Sequence, residues 1–321
     1  MRILIRLVIA AAALEALVYF NLLDIKMLLD LAGHPQTLAL ALGLLLISFG
    51  FGAVRWHLLL NGLGVRLPFS STLNILLIGQ FFSTFLPGAY GGDLVRTHMV
   101  LQQERTGLSR ILLSILIDRL LGLVGLISLG MLAVFLMPPE LRGNLVILGP
   151  ALTLTILVGL VVASVLGEPM ARLFERVPKI GLRLASFSRE VSRGLRSYAA
   201  RWWIPVVCWL LSIALFTLVV SALVVVANNL NLGSLSHVLY ALSGVIALLA
   251  NAIPLTPGGI GIGEAAFSQA AHMLEIVRSD APYATIFLAY RALTVAASLS
   301  GVLAYLLHRA EVDECCKATL E

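Results

Sequence analysis

The sequence predicts an all-α polytopic membrane protein, with about six transmembrane helices and two re-entrant helical pairs arranged as an inverted-topology repeat. Three observations predict it. Hydrophobic residues are 60% of the 321 and charged residues 12%, with a mean hydropathy of +0.99, more apolar than a soluble domain needs to fill a core. Apolar runs of about 20 residues, enough to cross about 30 Å of hydrocarbon, recur along the chain. Two similar glycine clusters, PGAYGGD at Pro87 to Asp93 and PGGIGIGE at Pro257 to Glu264, interrupt apolar sequence. Arg119 follows Asp93 after 26 residues and Arg291 follows Glu264 after 27, so acid, glycine turn and arginine recur as they do in repeated transporter halves.

The spans are read in order as Ile3 to Leu23, Thr37 to Leu60, Arg110 to Met137, Leu145 to Leu166, Trp203 to Ala227 and Tyr283 to His308. The first has Arg2 and Arg6 before an alanine-rich run, as a signal peptide would. Glu15 and the lack of a clear cleavage site favour a retained helix. Phe69 to Leu86 and His237 to Ile253 each end in one of the Pro and Gly clusters, which fits helices that enter the bilayer and return.

Lysine and arginine set the orientation. Arg2 and Arg6 place the N terminus in the cytoplasm; Arg55, Arg66, Arg96, Arg105 and Arg110 return there; His308 and Arg309 bring the C terminus to the same side. The first broken pair then opens from the cytoplasm and the second from the opposite face. The unit of span, re-entrant pair and span appears twice, over about 37–137 and 203–308, within one integral domain covering 1–321. Inverted repeats of this kind suit alternating access.

The segment 168–201 holds eight basic and three acidic residues, a net +5 equal to that of the whole chain. Drawn as a helix, it puts Leu184, Phe187, Val191, Leu195 and Tyr198 in one stripe, opposite Arg189, Arg193 and Arg196. Such a helix is expected on a membrane surface facing anionic lipid, or as an ordinary positive-inside loop. No nucleic-acid-binding fold accompanies the charge, so nucleic acid is not an expected partner.

Glycine at a broken helix lets an anion approach unpaired backbone amides, whose aligned dipoles favour negative charge. Gly88, Gly91 and Gly92 supply one such turn; Gly258, Gly259, Gly261 and Gly263 supply the other; Pro87, Pro254 and Pro257 stop the incoming helices. Asp93 and Glu264 are equally suited to cap those amides themselves. Arg119 and Arg291 lie deep in their spans, where an unpaired cation costs at least about 2.5 kcal/mol, and Asp93 and Glu264 are the natural partners. Two uses follow. The pairs are static locks, or they line a path and offer guanidinium groups to a passing lipid phosphate.

Other polar residues are secondary. Asn74, Gln80, Ser83 and Thr84 before the first turn, and Asn251 and Thr256 at the second, are expected to satisfy broken-helix backbone. Asp118 and Tyr290 point about 100° away from their neighbouring arginines. Arg55 and Trp56 are expected to snorkel from the second span, and Ala297 with Gly301 to form a packing contact. The six histidines have no metal-ligand spacing, the glycines form no dinucleotide fingerprint, and no GxSxG elbow or Walker lysine occurs, so neither a metal nor a cofactor is expected. The three cysteines are read as reduced thiols.

Taken together, Arg55 and Trp56, FFSTFLPGAYGGDLVR at Phe81 to Arg96, DRLLGL at Asp118 to Leu123, and IPLTPGGIGIGEAAF at Ile253 to Phe267 resemble the lysylphosphatidylglycerol synthase transmembrane family. That family includes the flippase-like integral domain of the multiple peptide resistance factor. The resemblance covers nearly the whole chain. It implies a multi-pass protein of a bacterial or archaeal plasma (inner) membrane that moves aminoacylated or other polar-headed lipids between leaflets, and it marks Asp93, Arg96, Arg119, Glu264 and Arg291 by motif position. Only about a dozen residues follow Arg309, so a soluble aminoacyl transferase domain, and lysyl transfer with it, is not expected.

The expected function is therefore lipid transport, with the head group meeting both glycine turns and the arginines. Membrane phospholipids are the expected partners, alongside a homo-oligomer or a lipid-modifying enzyme. A membrane transferase using Asp93 or Glu264 as base, and an accessory subunit, are the alternatives.

Overall fold

The computed structural model describes residues 33–85, 91–103, 107–175, 181–230, 235–253, 260–275 and 281–306. These form α1 (Pro35–Gly62), α2 (Phe69–Phe85), α3 (Gly91–Gln103), α4 (Leu108–Leu136), α5 (Pro139–Arg142), α6 (Leu145–Phe174), α7 (Gly181–Ala200), α8 (Trp203–Leu230), α9 (His237–Asn251), α10 (Ile262–Leu274) and α11 (Ala284–Ser298). Among the described residues there is no strand. Among the described residues five helices are long and apolar enough to cross a membrane: α1, α4, α6, α8, and α11 with its continuation to Leu306. The expected first span, Ile3 to Leu23, lies outside the described residues.

Helices α1 and α8 pack together, running antiparallel. Asn229 Nδ2 donates to Thr37 Oγ1 (3.0 Å) at one end, and at the other the Cys208 thiol lies 3.7 Å from the Arg55 carbonyl. Helix α4 closes on α8 through Gly125, where a Cβ would stand 2.4 Å from Ser212 Cβ, so only glycine permits this approach. Past the C terminus of α4 the chain folds back in α5, and Arg142 donates to the carbonyls of Phe135 (2.8 Å) and Met137 (3.1 Å), which no longer have helical partners.

Helix α6 is different. None of its most apolar stretch is buried, and the row Leu154, Val158, Val161 and Val165 is exposed, as suits a helix bathed in lipid chains. Its buried residues, Gly167 and Ala171, lie where α7 crosses.

Helix α7 gathers the ends of four spans. The Tyr198 hydroxyl donates to Leu59 O (2.8 Å) and Ser197 to Gly62 O (3.2 Å) on α1; Ser188 donates to Gly167 O (2.7 Å) and Ser192 to Ser164 O (2.6 Å) on α6. Arg110 at the start of α4 pairs with Glu190 at 2.9 Å, and α8 begins just after α7. The predicted apolar stripe is thus divided. Leu195 and Tyr198 are buried against the bundle, while Leu184 and Phe187 stay 40% exposed. Its arginines are divided as well: Arg189 is engaged by Glu168 and Glu175, whereas Arg193 is 68% exposed. The helix belongs to the bundle through its C-terminal half and is not a detached surface helix, because backbone carbonyls of α1 and α6 capture its hydroxyls.

Helices α2 with α3, and α9 with α10, pair as two hairpins. Helix α2 starts beside the end of α1, with the Phe69 ring edge-on to His57 at 5.7 Å, and packs along α3, whose end is followed within a few residues by α4. Helix α9 starts after the far end of α8, its first turn capped by the Ser236 hydroxyl, and packs along α10. Tyr240 near the start of α9 and His272 near the end of α10 both meet the Tyr283 ring edge-on, at 6.3 and 5.0 Å.

Candidate functional site

The site is built where α3 crosses α2. A Cβ on Gly92 would stand 2.0 Å from both the Gly79 carbonyl and Ser83 Oγ, so the first turn of α3 lies directly on the backbone of α2. One residue later Asp93, 9% exposed, faces α4. Arg119 binds its Oδ2 through Nη2 (2.5 Å) and Nε (2.7 Å). The arginine side chain is 41% exposed, so the pair has a buried acid and a half-open base.

One turn along α3, Arg96 runs its stem over Gly79, where a Cβ would meet its Cγ at 2.6 Å. Its guanidinium stacks 4.8 Å from the Trp56 ring and stands 3.6 Å from Asp93 Oδ1. Trp56 is fully buried and held by a 3.2 Å bond to Ser114 Oγ, which fixes the plane on which Arg96 rests.

Arg55 does not snorkel. It is 7% exposed and donates through Nε to Asp118 Oδ1 (2.7 Å) and through Nη1 to Ser212 Oγ (2.8 Å). Gly122 leaves its head group room, the nearest guanidinium nitrogen lying 3.4 Å from where a Cβ would be. Asp118 does point away from Arg119, and toward a guanidinium of its own. Sequence reasoning missed this pair because Arg55 was placed at a span end. The available signal was Asp118 itself, an acid amid apolar residues of a span that already contained one acceptor-seeking arginine.

The second hairpin carries a simpler pair. Glu264, with 0% exposure, sits in the first turn of α10. Arg291 grips it with Nε on Oε1 (2.5 Å) and Nη2 on Oε2 (3.2 Å), a bidentate arrangement. Oε2 also accepts the Gly261 amide at 2.9 Å, and Gly261 has φ +85°, a left-handed conformation that favours glycine. Glu264 therefore caps its own helix while holding the arginine. Gly263 serves packing: a Cβ there would meet Phe287 Cε1 at 2.4 Å and Asn251 Oδ1 at 2.7 Å. That Asn251 oxygen is buried and accepts no hydrogen bond among the described residues.

Gly91 opens α3. Gly88, Gly258 and Gly259 lie outside the described residues, as do Pro87, Pro254 and Pro257. The expected small-residue contact is tight: a Cβ on Gly301 would stand 2.2 Å from the Leu77 carbonyl, which brings the last span onto α2. Thr84 bonds the carbonyl of Gln80 (3.0 Å), local backbone satisfaction of the expected kind.

Five long apolar helices, together with guanidinium–carboxylate pairs that join neighbouring helices and bury their carboxylates, define a multi-pass helical membrane protein with polar groups in its core. The chain belongs to the family described as the lysylphosphatidylglycerol synthase TM region, which matches residues 3–307, nearly its whole length. No curated protein matches it.

Proposed function

We propose that the protein moves a polar-headed phospholipid between leaflets, the head group travelling along an interior polar seam and the acyl chains staying in hydrocarbon. The observation that carries this reading is the pair of helical hairpins, each presenting an acid from its returning helix to an arginine of the next span. Helices α2 and α3 are tied to the end of the bundle where α7 lies; Tyr240 and His272, at the two ends of the other hairpin, meet at Tyr283. Both arrangements favour re-entrant pairs opening from opposite faces, an inverted repeat of the kind that suits alternating access.

The α7 end carries exposed Arg66, Arg110, Arg172, Arg193, Arg196 and Arg201, which by the positive-inside rule faces the cytoplasm. Rocking one repeat against the other would then expose each glycine turn in succession. Gly88, Gly91, Gly92, Asp93, Arg96 and Arg119 would meet the head group on one side, and Gly258, Gly259, Gly261, Glu264 and Arg291 on the other. Family membership supports a lipid substrate.

The test is reconstitution into vesicles with a fluorescent phospholipid, scoring leaflet exchange above empty vesicles. Exchange with unchanged lipid chemistry is expected; a new covalent lipid species instead would make the protein a transferase. Thiol labelling at positions 88 and 258 should report opposite faces, and labelling of both from one side would overturn the inverted arrangement.

A further inference from the structure

Around the first hairpin, Arg55, Arg96 and Arg119 share two carboxylates, Asp93 and Asp118, and Arg96 lies within electrostatic reach of all four other groups. Asp118 is occupied by Arg55 at 2.7 Å and Asp93 by Arg119 at 2.5 Å. Arg96 is the remainder. Its nearest carboxylate oxygen is 3.6 Å away, beyond hydrogen-bonding distance, and it makes no hydrogen bond among the described residues although it is only 9% exposed. A guanidinium has five N–H donors, and burying such a group without hydrogen-bonded counter-charge is costly.

Its position is nevertheless well defined. Gly79 clears space for the stem and the Trp56 face sets the plane of the head group. Among the described residues nothing similar is seen at the second hairpin, where Glu264 meets Arg291 with both oxygens.

We propose that Arg96 is the receptor for a single phosphate monoanion, that this receptor exists in the first half alone, and that it selects net-anionic head groups. One negative charge neutralises the cluster. A head group that also carries an ammonium or a lysyl group brings a second cation to a site that, counted over the described residues, already has one positive charge in excess. The phosphodiester of an unmodified anionic phospholipid is the matching ligand, with half-exposed Arg119 on the side from which it arrives. The lipid source of that phosphate rests on the transport reading; the anion site itself does not.

The test measures thermal unfolding of the purified full chain in detergent with three separate probes: dihexanoyl phosphatidylglycerol, dihexanoyl phosphatidylcholine and inorganic phosphate. The anionic lipid should raise the unfolding temperature and the zwitterionic lipid should not. Arg96→Gln should weaken the response about tenfold or more, the loss of a charge-assisted contact. Without lipid that variant should unfold no earlier than the wild type, since it removes a buried guanidinium whose ion pair with Asp93 is long, at 3.6 Å, and carries no hydrogen bond. Arg96→Lys, which keeps the charge and loses the flat fork, should respond at an intermediate level and provides the reading if the glutamine variant does not fold.

Equal responses to both lipids, or an undiminished response in Arg96→Gln, would overturn the proposal. A response to inorganic phosphate as strong as to the anionic lipid, and also lost in Arg96→Gln, would make free phosphate the ligand and overturn the lipid assignment. Leaflet exchange on the same preparations separates the two readings. Arg96-dependent binding without exchange would sink transport alone, whereas exchange with an Arg96→Gln variant unchanged in binding and rate would sink the receptor alone.

Discussion

Asp93 and Glu264 stand at equivalent places in two similar motifs, yet one is an open junction and the other a closed lock. Glu264 has no exposure, spends one oxygen on both the Gly261 amide and Arg291, and gives its other oxygen to Arg291. Asp93 shares its two oxygens between Arg119, which is half open, and Arg96, which is left without a hydrogen bond among the described residues. The extra methylene of glutamate reaches back to its own helix start as well as outward to the arginine. Similar motifs therefore deliver different electrostatics, and a repeat in sequence is not a repeat in charge balance.

The comparison breaks most visibly at the lock. Arg291→Met should destabilise the protein by about 3–5 kcal/mol, because Glu264 would remain buried without a counter-charge. Replacing both partners by apolar residues, Glu264→Leu with Arg291→Met, should restore much of that loss. If the double variant unfolds as early as the single one, Glu264 matters chiefly as a cap.

Next come the glycines. Gly92→Ala should cost about 1–3 kcal/mol, since its Cβ meets the Gly79 backbone carbonyl, which cannot rotate aside. Gly263→Ala should cost less, because the Phe287 ring and the Asn251 amide are side chains with some freedom to yield. Unfolding midpoints of the two variants in one detergent compare them directly.

Arg119→Met should be milder in stability, about 1 kcal/mol, as its partner pair is partly solvated and Arg96 remains beside Asp93. Leaflet exchange, by contrast, should fall about tenfold or more with the loss of a charge-assisted contact. Little loss of exchange in a folded Arg119→Met protein would make the first pair a structural lock and not a contact for the head group. Smallest of all, Arg193→Ala on the exposed face of α7 should shift stability by no more than about 0.5 kcal/mol, and a greater effect would mean that α7 influences the pairs it does not touch.

Much of this was legible in the chain. Long apolar runs announce spans because an isolated helix satisfies its own backbone, and the five described spans match the runs read from sequence to within a few residues at most ends, with α6 extending further on to meet α7. Asp93 with Arg119 and Glu264 with Arg291 could be paired on paper because a buried arginine demands an acid and few were on offer. Arg55 with Asp118 could not. Their separation of 63 residues carries no periodicity, and the second acid next to Arg119 looked redundant until α1 was seen to pass it.

Sequence alone determined the solvent this protein lives in, the helical class and the family, since composition and motif spacing depend on residue order and nothing else. Tertiary structure alone decided which charges neutralise one another, that Arg96 is left over on the Trp56 ring, and that Gly79, Gly92 and Gly301 are contact points between backbones. Electrostatic energy and steric clearance depend on distances across helices, and those distances exist only once the helices have packed.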